Sequence, residues 1–194
     1  MKLAFLDIES TNLYASVGII LCASVKFTET NKIDGPVKHV RIDQSPDYKK
    51  GGVHQLDDTV CILGIKKWLV DEDPDIVITY NGIKFDIPYI ETRLAKLQEK
   101  PLPDLTHVDY FRVVINKLRM HSMSLDALAD YLEVPHQKTH YRPEVWKRAE
   151  HGDKKSMDLI VEHCDLDVQV LQDCHNRLRG LVRPLARALL RGGA

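Results

Sequence analysis

Little in this chain advertises a partner. Lysine and arginine number 27 against 28 aspartates and glutamates, a formal net charge of −1 over 194 residues. No global basic field draws in nucleic acid, so any such site must be local. The four cysteines, Cys22, Cys61, Cys164 and Cys174, form no CxxC pair, and the nine histidines include no HExxH; both spacings are therefore excluded as the source of a metal or redox site. There is no signal peptide, no apolar run long enough to span a membrane, no internal repeat and no low-complexity tract. The expected setting is a reducing cytoplasmic compartment, with no membrane partner. What remains is an ordinary globular composition, 44% hydrophobic and 28% charged. A single domain over residues 1–194 with a sizeable core is the expectation, the stretch from about 176 onward forming a basic helical tail.

The first eleven residues, MKLAFLDIEST, set the problem. In an extended strand Leu3, Phe5, Asp7 and Glu9 share one face, and Ala4, Leu6 and Ile8 the other. Apolar residues on both faces mark a central strand covered on two sides. At its exit, however, stand two like charges. They repel and lose hydration, so one takes up a proton unless a cation lies between them.

The rest alternates strands and helices. GIILCASVKFTE and PVKHVRI read as two further strands, joined by a turn at TNKIDG, so the first three strands form an antiparallel meander. A polar loop, DQSPDYKKGGVHQLDD, precedes a helix over TVCILGIKKWLVDE that Pro74 stops. DIVITYNG is a buried strand, and DIPYIETRLAKLQEK a helix with Ile87, Ile90, Leu94 and Leu97 on one face. DLTHVDYF reads as a fifth strand, and SLDALADYLEV as a helix capped by Ser124. PHQKTHYRPE is a basic loop, and the remainder is helical. The sum is an α/β fold, a mixed five-stranded sheet flanked by helices.

Two more acidic sites follow. Asp86 opens a helix after a strand and an Asn-Gly turn; it is either an N-cap or a third carboxylate near the strand ends, where open α/β sheets bind ligands. In DLIVEHCDLDVQVL a helical wheel separates two aspartates. With His163 at zero and about 100° per residue, Met157, Ile160, Val161, Cys164, Val168 and Leu171 fall between roughly 60° and 160°, the core-facing arc. Asp167 falls at roughly 40°, at the edge of that arc and one turn from His163. Asp165 falls at roughly 200°, with Asp158, Gln169 and Gln172 on the expected wet side. Asp167 is thus a carboxylate turned inward beside a histidine, whereas Asp165 reads as surface charge. His163 itself is either a histidine at the edge of a buried face or a group acting with Asp167.

LDIEST, YNGIKFDIPYI and EHCDLDV, in this order and over most of the chain, resemble the three exonuclease motifs of the DnaQ-like 3′–5′ exonucleases of the DEDD superfamily, which have an RNase H-like fold. The branch they resemble is the proofreading domain of family B DNA polymerases, whose third motif reads Tyr-x3-Asp. The resemblance implies that Asp7, Glu9, Asp86 and Asp167 hold two divalent cations, Mg²⁺ or Mn²⁺, which would neutralise the crowded pair of the first strand. An all-oxygen donor set suits those ions rather than zinc. His163 departs from the pattern: it stands at the tyrosine spacing, while the sister branch places its histidine five positions before the aspartate. Its implied role is to accept or orient the proton of the attacking water.

By motif position Thr11, Asn12 and Leu13 meet the terminal nucleotide, and Asn81 and Phe85 the strand behind it; core packing is the competing reading for Leu13 and Phe85. Lys138, His140, Tyr141 and Arg142 either line the strand's path or form a solvated loop. In the tail, Arg179, Arg183, Arg187 and Arg191 recur every four residues, a nucleic-acid grip, a partner-docking helix or simply a solvated face, with Gly180 and Pro184 expected to break the helix in two. No polymerase domain is expected to follow. The expected function is a stand-alone 3′–5′ exodeoxyribonuclease acting on single-stranded DNA or DNA 3′ ends, with a partner in replication or repair. The alternatives are a nucleic-acid-binding module of the same fold with degraded catalysis, and an RNA-trimming exonuclease.

Overall fold

β1 (Lys2–Ser10) lies at the centre of a five-stranded sheet of order β3-β2-β1-β4-β5. The computed structural model describes residues 1–29, 34–45, 48 and 57–191, with side chains as far as residue 182. β2 (Ile20–Glu29) and β3 (Lys38–Arg41) run antiparallel to their neighbours, while β4 (Ile76–Thr79) and β5 (His107–Asp109) pair in parallel with β1 and with each other. The expected meander and mixed sheet are therefore present. The TNKIDG turn and most of the following polar loop lie outside the described residues.

The two faces of β1 meet two different cores. Ala4, Leu6 and Ile8 pack with Ile62, Ile65 and Leu69 of α1 (Thr59–Glu72) and Ile90 and Leu94 of α2 (Asp86–Lys96). Leu3 and Phe5 pack with Val168, Leu171 and Cys174 of α6 (Lys154–Arg191). α1 ends where Pro74 requires: Asp73 takes a left-handed conformation at φ 41° and closes the helix. On the α6 side the sheet is also covered by α3 (Tyr110–Lys117) and α4 (Leu125–Leu132), the latter capped as expected by Ser124 Oγ, which accepts from Ala127 N at 3.1 Å. α5 (Glu144–Glu150) is separated from α6 by a turn at Gly152, whose φ of 90° favours glycine.

Three expectations change. The fifth strand does not continue through Phe111: Asp109 accepts from Phe111 N at 3.0 Å and caps α3. Tyr110, Val113 and Val114 are the buried positions of that helix, at helical rather than alternating spacing. Nor is α6 broken in two; it continues through Gly180 and Pro184 to Arg191. Leu178 and Val182 stay buried on either side of Gly180, so packing carries the helix across it, and Pro184 costs the one bond that would reach the Gly180 carbonyl. Finally, α6 touches α3, α4 and α5 as well as the sheet, so its buried face is wider than the wheel implied. Val170 and Gln172 are buried, the amide of Gln172 donating to Asp34. Asp165 is not free surface charge either: it accepts from the buried Ser24 Oγ at 2.6 Å and pairs with His39 at 3.1 Å.

Candidate metal centre and nucleic-acid cleft

The exit of β1, the start of α2 and the middle of α6 converge at one point, and each brings carboxylates. Asp7 and Glu9 arrive on the strand face turned towards α6. Cys164 of α6 is close enough for its thiol to lie 3.4 Å from Asp7 Oδ2. Asp86 does not cap α2: the N-cap position is Phe85, and the Asp86 carboxyl is buried instead, its Oδ1 without any hydrogen-bond partner. Asp167 is 6% exposed, as its place on the wheel implied, and its Oδ1 is likewise unpartnered.

Crowding is visible in the ionisation of these groups. Burial pushes the Asp7 carboxyl well above its ordinary range, and the negative fields of Asp167, Asp86 and Glu9 add to the push. Burial raises Glu9 to about 7, against the opposing hydrogen bond from Trp146. Asp86 is likewise raised to about 7 by burial, although backbone N–H groups of Asp86 and Ile8 favour its anion. At these two carboxyls the cost of leaving water exceeds what their few neutral hydrogen bonds return, and positive charge nearby would reverse the balance.

The chain supplies one such charge itself. Lys138, expected along the strand's path, is turned inward, and its ammonium is bonded to Asp167 Oδ2. Burial alone would lower its pKa; Asp167, Asp7 and Glu9 together raise it. Its neighbour Thr139 holds the imidazole of His163, Oγ1 to Nδ1 at 2.7 Å, leaving Nε2 at 3.6 Å from Glu9 Oε1 and 3.9 Å from Asp167 Oδ2. These carboxylates by themselves would raise the His163 pKa. Instead burial, the largest influence, lowers it, and the upward pull of Asp167 does not compensate.

Trp146 of α5 completes the inner wall. Its indole N–H donates to Glu9 Oε2 at 2.9 Å, and its ring stands edge-on to His163 with centroids 5.6 Å apart. Nothing in the local sequence announces a contact between residues 137 positions apart.

The carboxylates open into a cleft of about 770 Å³, lined by Asp7, Glu9 and Asp86 and by all five expected nucleic-acid residues, Thr11, Asn12, Leu13, Asn81 and Phe85. Tyr141 and Trp146 form part of its wall. Leu13 is 77% exposed, which excludes the core reading for it; Phe85 packs partly against the core, tilted on Tyr89. His140 faces Asp126 instead, at 3.5 Å.

The cleft loops are rigidly mounted. Arg93 and Asp58 form a buried ion pair at 2.6 Å; Arg93 also donates to Ala15 O, and Asp58 accepts from Ile20 N, so the pair pins the loop that carries Thr11 to Leu13. On the other side Asp109 accepts from Asn81 N at 2.8 Å and Ile83 N at 3.3 Å, fixing the loop before Asp86. Gly82 is required there: a Cβ would lie 2.3 Å from Thr79 Oγ1. Asp109 escaped the sequence reading, although an aspartate between a strand and a helical pattern is a capping signal.

Comparison with known proteins agrees with this architecture. Residues 4–179 match the family model of the RNase H superfamily, and the chain belongs to that superfamily. A DNA polymerase from Pyrococcus glycovorans is 26% identical over 125 residues, covering 54% of this chain and 16% of the polymerase. The family B DNA polymerase from the archaeon Pyrobaculum calidifontis superposes with a TM-score of 0.73 at 18% identity, over 92% of this chain and 24% of the polymerase. The fold is thus the one the three motifs implied, and the chain spans a quarter or less of the length of these polymerases. Among the described residues no helix is long and apolar enough to cross a membrane.

Proposed function

We propose that the chain is a metal-dependent exonuclease that, by itself, removes nucleotides from the 3′ ends of single-stranded DNA. The observation that carries this reading is the pair of buried, unpartnered carboxylate oxygens, Asp86 Oδ1 and Asp167 Oδ1. A buried polar atom without a partner is rare in a folded protein, and an anionic one rarer. Apart from His163 Nε2, the donors that converge here are carboxylate oxygens, which fit Mg²⁺ or Mn²⁺. Asp7, which lies in the fields of Asp86, Glu9 and Asp167, would hold such cations together with those three carboxylates. When bound, such ions shield phosphate charge, activate water and stabilise the leaving 3′ oxygen.

The chain's own residues do the rest. Trp146 holds Glu9 in one orientation, and Lys138 offsets part of the charge of Asp167. Thr139 fixes the ring of His163 so that Nε2 faces the carboxylates, and the depressed pKa keeps that nitrogen free to take a proton from the attacking water. Leu13 and Phe85 offer apolar surface to the bases, a sequence-tolerant contact. The 3′ polarity and the preference for DNA rest on the motif resemblance and on the DNA polymerases that share the fold.

One observation favours a second reading. The ammonium of Lys138 already stands among the carboxylates, as it would in a binding module that had replaced a cation with its own lysine. A single-stranded oligonucleotide labelled at its 5′ or 3′ end, in DNA and RNA versions, separates the readings. With Mn²⁺ the DNA strand is expected to shorten from its 3′ end and to stay intact in excess chelator. A gel shift without shortening supports the binding module instead.

A further inference from the structure

The stretch from Tyr110 to Leu125 carries Arg112, Lys117, Arg119 and His121 and no acidic residue, in a chain whose charges otherwise nearly balance. Most of it is α3 and the turn after it, and Arg112, Ile115, Asn116, Lys117 and Arg119 are exposed. Cations on β1 and on the opposite edge strand β3 are neutralised: Lys2 and Lys38 pair with Glu72, and Arg41 with Asp43 and Asp158. Among the described residues, Lys84, Arg112, Lys117 and Arg119 have no ion-pair partner. Uncompensated positive charge raises the local concentration of anions.

This charge borders a groove of about 290 Å³, lined by Asn81, Lys84, Phe111, Arg112, Ile115 and Asn116. Asn81 lines the carboxylate cleft as well, so the groove adjoins it. Asp109 couples the two mechanically: it accepts from Asn81 N and Ile83 N on one wall and caps α3, the other wall, through Phe111 N. Cationic side chains beside exposed apolar surface, Ile115 being 46% exposed, match a strand that presents phosphates on one side and base faces on the other.

We propose that this groove carries the sugar-phosphate backbone of the single strand whose end lies in the cleft, with Lys84 and Arg112 on the phosphates and Phe111 and Ile115 beneath a base or sugar. The proposal rests on the nuclease reading and extends its substrate site to nucleotides behind the terminal ones. Each phosphate contact releases counterions, about 0.7 per charge on a single strand, so the signature is in the salt dependence.

The test pairs two substrates. Anisotropy of a fluorescein-labelled 20-nucleotide DNA strand in chelator, over a range of KCl, measures binding; hydrolysis of the p-nitrophenyl ester of thymidine 5′-monophosphate with Mn²⁺ measures chemistry without a trailing strand. The double variant Lys84→Ala, Arg112→Ala is expected to bind the strand about tenfold more weakly at low salt, with a log–log slope shallower by about 1.4, while hydrolysing the ester within twofold of wild type. The control variant Lys66→Ala, Lys67→Ala on α1 removes equal charge and is expected to bind as wild type does. Unchanged affinity and slope in the first variant, or equal loss in the control, overturns the groove and assigns its free cations elsewhere, for example to an acidic protein surface. Wild type that binds the strand with the expected slope but cleaves neither substrate overturns the nuclease reading and leaves the groove standing.

Discussion

Two aspartates one half-turn apart on α6 show how much depends on a single position. Asp167 is turned into the cluster with one oxygen unpartnered; Asp165 is spent on Ser24 and His39. Asp167→Ala is expected to cost several orders of magnitude in cleavage rate, as loss of a metal ligand does. Asp165→Ala is expected to keep a rate within a fewfold of wild type yet to lower stability by about 1–3 kcal/mol, because buried Ser24 loses its acceptor. Thermal melts and rates on both variants check the pair; a collapse of activity in Asp165→Ala with normal rates in Asp167→Ala would reverse the assignment. At His163, the Phe variant is expected to lose on the order of 10²–10⁴-fold in rate, and the Tyr variant to keep substantial activity. Since burial lowers the His163 pKa, its own acid limb lies below the usual 6.5. A limb nearer neutrality belongs to Glu9 and Asp86, raised to about 7, where protons compete with cations. Tenfold more Mn²⁺ should therefore move that limb to lower pH in wild type and in His163→Tyr alike. A limb that ignores the Mn²⁺ concentration would show that this competition is absent.

Among the elements, the joint between β5 and α3 holds the second motif in place. Asp109 binds three backbone N–H groups, those of Asn81, Ile83 and Phe111, and so sets both the loop before Asp86 and the start of α3. Asp109→Ala strands three half-buried donors, and the expected cost is about 1–3 kcal/mol of stability. Because the same loop delivers Asp86, Mn²⁺ affinity should fall together with the melting temperature, as calorimetric titration can show. Normal Mn²⁺ affinity in a destabilised variant would mean that α2 alone positions Asp86. This joint was only half legible beforehand. VDYF alternates plausibly as a strand, and only the cap at Asp109 turns the chain into a helix.

For the molecule as a whole, the cluster sets the pH dependence of stability. Asp7, Glu9 and Asp86 have raised pKa values in the folded state, so the folded chain binds protons that the unfolded chain has released. Their contribution is fully present below the unfolded values near 4 and is lost as pH rises through about 7. The buried histidines act in the opposite sense below 6.5, His175 being lowered to about 4 chiefly by burial, and Glu72, lowered to about 2, acts only in stronger acid. Between pH 6.5 and 8 the carboxylates are opposed only by the upper tail of the histidines' titration. The metal-free protein should therefore melt at lower temperature at pH 8 than at pH 6.5. Saturating Mn²⁺ should raise the melting temperature at pH 8 and flatten the trend, since an ion bound by the native state alone shifts unfolding by mass action. Asp7→Asn should abolish cleavage while leaving the metal-free protein as stable at pH 8, or more so. Unfolding of that variant would make Asp7 a structural acceptor instead.

Apolar periodicity was enough to mark the buried faces, and with them the central strand, the meander, most helices and the inward turn of Asp167. Those features repeat at intervals of two or near four residues, so neighbouring positions report them. It took the folded arrangement to show that Lys138 enters the cluster, that Trp146 holds Glu9 and that Thr139 orients His163. The same arrangement shows that Asp165 and Gln172 are bound rather than wet. The reason is distance along the chain: Ser24 and Asp165 stand 141 positions apart, and Glu9 and Trp146 137. Contacts of that range are made by packing whole elements against one another, and no local period encodes them.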